Sequence, residues 1–315
     1  MTSLWWWALP VLLLPLVAQR EQGLSVVRFA DEGVTDYNAP LMAPALAGID
    51  AAQARALRRA LGNALAGHDL LRIDKMLPRL AGGANPLQAI WPCQPCEMFG
   101  NHLRVDLDYD TWRHSLDKTV RKEFERTWRA FSRDPDARFE RITGAADARA
   151  LFAELEAQQR QRMAHAGDHY RLDRPEWRRL YVDRLQRGLA AGSVVLTALR
   201  CRGELVAALY GISDGTRYVA LRISHAGEAW KHCAPGKLLL ERTIHHLHSP
   251  GLRHIDFAIG DYFHKRVFKM AQTPLVDACV ALSWRGLPAV WAWRTRRGLK
   301  RQAWIVAGVR RLQGR

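Results

Sequence analysis

Hydrophobic and polar residues recur along this chain in two periods, and the switches between them mark its elements. Three apolar runs, Ser193–Arg200, Glu204–Ile212 and Arg217–Ser224, are separated by Arg202-Gly203 and Asp214-Gly215. Links of this kind are hairpin signals, because tight turns place residues at positive φ. The three runs therefore predict an antiparallel meander. The period then lengthens, and Leu240, Ile244 and Leu247 fall on one face of a helix from about Lys237 to His248. Pro235-Gly236 opens that helix and Pro250-Gly251 closes it. From Arg253 to Ile259 the chain alternates again, Ile255, Phe257 and Ile259 against His254, Asp256 and Ala258. A strand, a helix of this length and a further strand form a βαβ unit, so the last two strands are expected to run parallel.

The first third repeats this order of elements. A strand is predicted at Leu9–Gln19, a turn at Glu21-Gln22-Gly23 and a second strand at Leu24–Phe29. A loop, Thr35–Leu41, leads to a helix from Ala51 to Leu65, whose Ala54, Leu57, Leu61 and Leu65 oppose Arg55, Arg58 and Arg59, and then to a strand at His68–Ile73. The apolar start, Leu4–Ala18, has no basic residue before it, is broken by Pro10 and Pro15, and falls short of the ~20 residues of a spanning helix. Leu9–Gln19 reads as a buried strand after a cluster of tryptophans, with a membrane anchor as the alternative. A polar connector, His102–Asp117, precedes an amphipathic helix, Asp117–Ser132, with Phe124, Trp128 and Phe131 on one side and Lys118, Arg121, Lys122, Arg126 and Arg129 on the other. Helical patterns also cover Ala145–Ala164 and Arg174–Ala190. The expected fold class is α+β, a mixed central sheet flanked by helices, divided at residues 1–108, 109–284 and 285–315.

Composition narrows the class of protein. Across 315 residues, 48% hydrophobic and 25% charged content match an ordinary globular chain and exclude a disordered one. The formal net charge is +16, and Arg285–Arg315 holds nine Lys/Arg and no acid, leaving +7 for the rest. Such a surface attracts nucleic acid, anionic lipid, phosphorylated cofactors and acidic glycans alike. Five cysteines without regular spacing imply a reducing compartment, hence a cytoplasmic location. Cys93 and Cys96 lack the further pair of ligands that a zinc site needs, so Trp91–Cys96 reads as a proline-stiffened loop and no metal is expected.

The helix start Ala234-Pro235-Gly236-Lys237-Leu238 is the first candidate for chemistry. The first N–H groups of a helix lack internal partners and, with the helix dipole, attract anions. Gly236 lets a ligand approach the backbone, and Lys237 adds charge. His225 ends the third meander strand, and an imidazole titrating near ~6.5 suits proton transfer near neutrality. Asp256 is the next candidate base, with an alternative role in orienting a loop. Tyr262 can protonate a leaving group, and Lys265 can neutralise developing negative charge.

Together, Ala234-Pro235-Gly236-Lys237-Leu238-Leu239, Asp256-Phe257, Gly260-Asp261 and His264-Lys265 resemble the GNAT-like family of CelD-type cellulose-biosynthesis proteins and BioF2-like acetyltransferase domains. Pro15-Leu16-Val17 and Asp36–Leu41 extend the likeness, which is also similar to the two-lobed Fem-type aminoacyltransferases. The resemblance implies a complete C-terminal GNAT lobe and a partial N-terminal one. It also implies transfer of an acyl group from acetyl-CoA or another acyl-CoA to an amine, or less often a hydroxyl, in cell-envelope or exopolysaccharide synthesis. The pyrophosphate would rest on Ala234–Leu238. A second reading is a non-catalytic module of the same fold that binds an acidic polymer, a protein partner or, through its basic tail, the anionic inner face of the membrane. Nucleic acid ranks third, since no recognised module accompanies the charge.

Overall fold

The computed structural model describes residues 11–80, 83–105, 108–248, 252–260 and 267–312, the side chains of 171 and 300–312 excepted. The chain forms two compact units, one of residues up to Phe99 together with those from Thr273 onward, the other of Gly100–Gln272.

In the first unit, β1 (Leu12–Leu13) pairs with β4 (Leu41–Met42), and β2 (Leu16–Glu21) forms a hairpin with β3 (Leu24–Phe29). The turn residues Gln22 and Gly23 have φ of 48° and 79°, as a tight hairpin turn requires. The strand predicted from Leu9 is thus two strands broken at Pro15, which has no N–H for a ladder. Nor is it buried, because β2 is an edge strand with Val17–Arg20 exposed. The helix α1 (Ala51–Ala64) opens with a capping box, in which the Asp50 carboxylate accepts the Gln53 N–H at 2.8 Å and the Asp50 N–H donates to Gln53 Oε1 at 3.0 Å. Ala54, Leu57 and Leu61 pack with Leu65 on Val27, Leu71 and Ile73. β5 (Leu70–Met76) lies parallel to β3, which completes a βαβ unit. The short pair β6 (Arg79–Leu80) and β7 (Gly83–Ala84) and the single turn α2 (Leu87–Ile90) lead to β8 (Cys93–Arg104). The predicted loop at Trp91–Cys96 is therefore a strand from Cys93 onward.

The second unit starts within β8. The expected connector holds a helix, α3 (Tyr109–Ser115), capped by the Asp108 carboxylate, which accepts the Thr111 N–H at 2.9 Å, with Trp112 buried. α4 (Lys118–Phe131) buries Phe124 and Phe131. Then follow β9 (Arg138–Ile142), α5 (Ala145–His165), α6 (Pro175–Ala190), the meander β10 (Val194–Cys201), β11 (Glu204–Ser213) and β12 (Arg217–His225), then α7 (Pro235–Leu247) and β13 (His254–Ile259). The strand order is β8-β13-β12-β11-β10-β9, antiparallel except for β12 and β13, as the βαβ pattern predicts. Alternate residues of β10 serve two cores: Val195 and Leu199 pack with α4 and α7, whereas Leu196 and Ala198 pack with α5 and α6. The sheet is thus mixed and covered by helices on both faces.

The chain then returns to the first unit through β14 (Ala271–Ala281), antiparallel to β5, and ends in α8 (Leu287–Leu312), so the basic segment is a helix. Asp277 of β14 is buried and accepts the Lys75 N–H at 2.6 Å, where β5 bulges with Lys75 at φ +60°.

Gly211 of β11 faces the buried ring of Tyr218, which a Cβ at that position would overlap. Gly211→Ala is therefore expected to destabilise the second unit by about 1–3 kcal/mol through overpacking. A thermal melt unchanged from the wild type would show that the ring yields freely.

Candidate functional site

The parallel strands stay paired over Arg217↔His254, Tyr218↔Ile255 and Val219↔Asp256, and then diverge. β12 carries an extra residue, Leu221, between the pairs Gly211↔Ala220 and Tyr210↔Arg222. β13 turns at Ala258, φ +62°, where its register with β8 jumps from Asp256↔His102 to Ile259↔Gly100. A left-handed alanine costs roughly 1–2 kcal/mol, so something must hold it. The Asp256 carboxylate accepts the Ala258 N–H at 2.7 Å, and the buried Asn101 donates its amide to the carbonyls of Ala258 and Gly260 at 2.9 Å each. On the other strand, Gln159 Nε2 donates to the Ile223 carbonyl at 2.9 Å. Its Oε1 accepts from the buried Arg222, whose guanidinium lies 4.9 Å from the Phe152 ring and 4.7 Å from that of Tyr181. These contacts fix both strands of a wedge that opens toward the carboxyl end of β12.

α7 begins at that end. A turn of 3-10 helix, Gly227–Cys233, delivers the chain to Ala234 in the left-handed conformation, φ 48° and ψ 60°. The first helical bond is from the Leu238 N–H to the Ala234 carbonyl at 3.0 Å. Pro235 has no N–H, so Gly236 and Lys237 present donors with no acceptor inside the helix. No side chain caps this end and no acid occupies its first turn. The matching helix of the first unit, α1, also lacks an acid in its first turn but is capped, since the Asp50 carboxylate accepts the Gln53 N–H.

A Cβ at Gly236 would meet one neighbour, His225 Cδ2, at 3.4 Å. The structure thus brings His225 together with the start of α7. Lys237 contributes its N–H, but its ammonium is committed to Glu123 Oε1 of α4 at 2.8 Å rather than free to add charge for a ligand. Leu238 is buried in the core. Cys233, also buried, donates its thiol to the Trp230 carbonyl at 3.1 Å, and burial raises its pKa. Asp256 braces the β13 bulge. Tyr262 and Lys265 lie outside the described residues. Asn101 and Gln159 had no distinguishing signal, being single polar residues, one just before the predicted connector and one within a predicted helix.

His225 is half-buried, and that burial, followed by the nearby Arg162 charge, lowers its pKa from the ordinary 6.5. The ring is neutral at pH 7. Its Nδ1 accepts the Gly227 N–H at 3.3 Å, a long bond, which places the proton of the neutral ring on Nε2. Cys93 and Cys96 are held as thiols, burial pushing each up to about 11. Among the described residues, no group of three or more His, Cys, Asp or Glu has metal-binding geometry.

Residues 118–266 match the acetyltransferase (GNAT) domain family model. The matched segment holds α4, the meander, the wedge and the start of α7. Solved structures share the fold over most of the chain. The C-terminal domain named for a lysylphosphatidylglycerol synthetase, from Agrobacterium fabrum, superposes with a TM-score of 0.56 at 11% identity, covering 89% of this chain and 86% of that one. FemX gives 0.51 at 11% identity over 83% of each chain, and a conserved protein of unknown function from Bacteroides thetaiotaomicron gives 0.51 at 13% over 85% and 82%. At these identities the likeness is one of fold. No curated protein sequence matches. The GNAT domain match supports acyl transfer in general.

Removing the Arg162 charge eliminates one of the two causes that depress the His225 pKa. Arg162→Gln is expected to move the imidazole midpoint, followed by NMR, upward toward 6.5. A midpoint that stays put would leave burial as the sole cause.

Proposed function

We propose that this chain is an acyl-CoA-dependent N-acyltransferase whose catalytic domain is residues 109–284. It moves an acyl group other than an aminoacyl group from the thioester to an amine, with a hydroxyl as the lesser acceptor. The observation that carries this reading is the uncapped start of α7, with two unpaired N–H donors, at the mouth of the wedge and beside His225. A pyrophosphate fits there because donors, helix dipole and a side-chain-free approach at Gly236 coincide. The resemblance to CelD-type and BioF2-like proteins supports a place in cell-envelope or exopolysaccharide synthesis, in the cytoplasm.

Coenzyme A supplies an acyl group activated as a thioester. In the reaction proposed, the acceptor nitrogen bonds the acyl carbon, the C–S bond breaks and the acceptor loses a proton. His225 is the group that takes this proton, directly or through one water, because it stays neutral below the pH at which an ordinary imidazole charges. To do so it exchanges tautomer and releases the weak bond from Gly227. If Nε2–H instead donates to the thioester oxygen, His225 acts without changing charge. Two variants separate the roles: His225→Ala removes both, whereas His225→Gln can keep a donor but no base. We expect both to lose about 100-fold in turnover with little change in donor affinity. Retention of activity by the glutamine variant alone would give His225 the donor role. Tyr262 is the proposed proton source for the thiolate, and Lys265 the charge that neutralises it.

The competing reading, a GNAT-fold module that binds an acidic polymer or a partner without catalysis, is favoured by the charge of the C-terminal segment. Gly236→Glu distinguishes them. Glutamate suits a first helical turn and its Cβ fits beside His225, so the melt is expected to stay near normal. Calorimetric binding of coenzyme A should collapse, since bulk and negative charge then occupy the phosphate position. Retained binding sinks the proposed site.

A further inference from the structure

The C-terminal helix presents a surface that acyl transfer does not use. Trp284 is 80% exposed, Leu287 60%, Trp291 72% and Leu299 63%, while large aromatic side chains are on average highly buried. At about 100° per residue, Leu287, Trp291, Thr295 and Leu299 share one side of α8, and Trp284 leads into it. Thr295 spends its hydroxyl on the Trp291 carbonyl at 3.0 Å, so it does not interrupt the stripe with an unmet polar group. Arg294 flanks the stripe on one side and Arg296 on the other, both exposed.

The opposite side of the helix is fastened to its own unit. Val290 is buried with Val26, Leu70 and Cys279, and Trp293 packs against them. Arg297 pairs with the buried Asp277 and donates to the Pro95 carbonyl at 2.9 Å. Gly286 lets the chain pass so close to the Asp69 carbonyl that a Cβ would overlap it, and Ser283 Oγ donates to the Asp69 carboxylate at 2.7 Å. The stripe is therefore held outward by inward contacts. Nine cations and no acid lie between Arg285 and Arg315, so nothing in that segment neutralises it.

We propose that the outer face of α8 docks on an anionic lipid bilayer, lying in the interface with Trp284, Leu287, Trp291 and Leu299 at the acyl boundary and the arginines among the headgroups. An apolar stripe with tryptophans, flanked on both sides by cations, has the cross-section of an interfacial helix. A soluble acidic polymer would satisfy the arginines and leave the stripe in water. No described helix is long and apolar enough to cross a membrane. Docking is independent of the acyl-transfer reading, since none of these residues belongs to the site at α7.

The test is co-sedimentation of the full chain with vesicles of phosphatidylcholine, with and without phosphatidylglycerol, alongside Trp284→Ser/Trp291→Ser and Arg294→Gln/Arg296→Gln variants. The wild type is expected to pellet with the anionic vesicles, to be released as salt rises, and to be quenched by brominated lipid. The tryptophan pair should lose about tenfold or more in partitioning, and the arginine pair about fivefold per charge. Each variant should keep its melt and its coenzyme A titration, so a failure of docking is not confused with a failure of the donor site. Equal pelleting without phosphatidylglycerol, or undiminished binding by the tryptophan pair, overturns the proposal. So does tighter binding to heparin than to anionic vesicles that depends on the arginines alone.

Discussion

Everything at the candidate site depends on two neighbouring strands of a sheet ceasing to hydrogen-bond each other before either one ends. A ladder that stops inside a protein leaves N–H and C=O groups without partners, at about 1–3 kcal/mol for each that is buried and unmet. This unit meets that cost with side chains. Asn101 takes two carbonyls of β13, Asp256 takes an N–H, and Gln159 serves a carbonyl of β12. The opening persists because these groups are fixed from elements on either side, β8 and α5. His225 and the first turn of α7 then fall at its rim.

The two units answer the same problem differently. In each, the second strand of the parallel pair holds a left-handed residue that is not glycine, Lys75 or Ala258, whose N–H is taken by an aspartate. Each crossover helix leads into that second strand. One start is sealed by its own acidic cap and the other is left bare. That difference of one side chain is what sets the proposed anion site in the second unit apart.

Much of this was legible in the sequence wherever local chemistry decides. Gly203 and Gly215 marked the turns of the meander, and leucine spacing marked α7. What escaped was set by distant partners. β8 reads as a loop because Pro95, Gly100 and polar residues interrupt it, and it becomes a strand because β13 pairs with its end. β14 begins near Pro274 and closes the first unit's sheet from the far end of the chain, which no local pattern announces. Within the site, Pro235-Gly236 was readable, whereas Ala234 and Ala258 sit at positive φ with a residue type that gives no sign of it. The partner that takes the Lys237 charge, Glu123, lies over a hundred residues upstream.

One consequence concerns Cys233, which stands directly before the helix start. A thiolate in that place would be a rival nucleophile, able to pull an acyl group off a thioester onto itself and stall on a product of nearly equal energy. Its sulfur is sealed from solvent, gives its hydrogen to the Trp230 carbonyl, and ionises less readily than a free thiol. The proposed chemistry can thus run beside a cysteine without self-acylation, and exposing that sulfur would divert acyl groups into a reversible thioester on the chain itself.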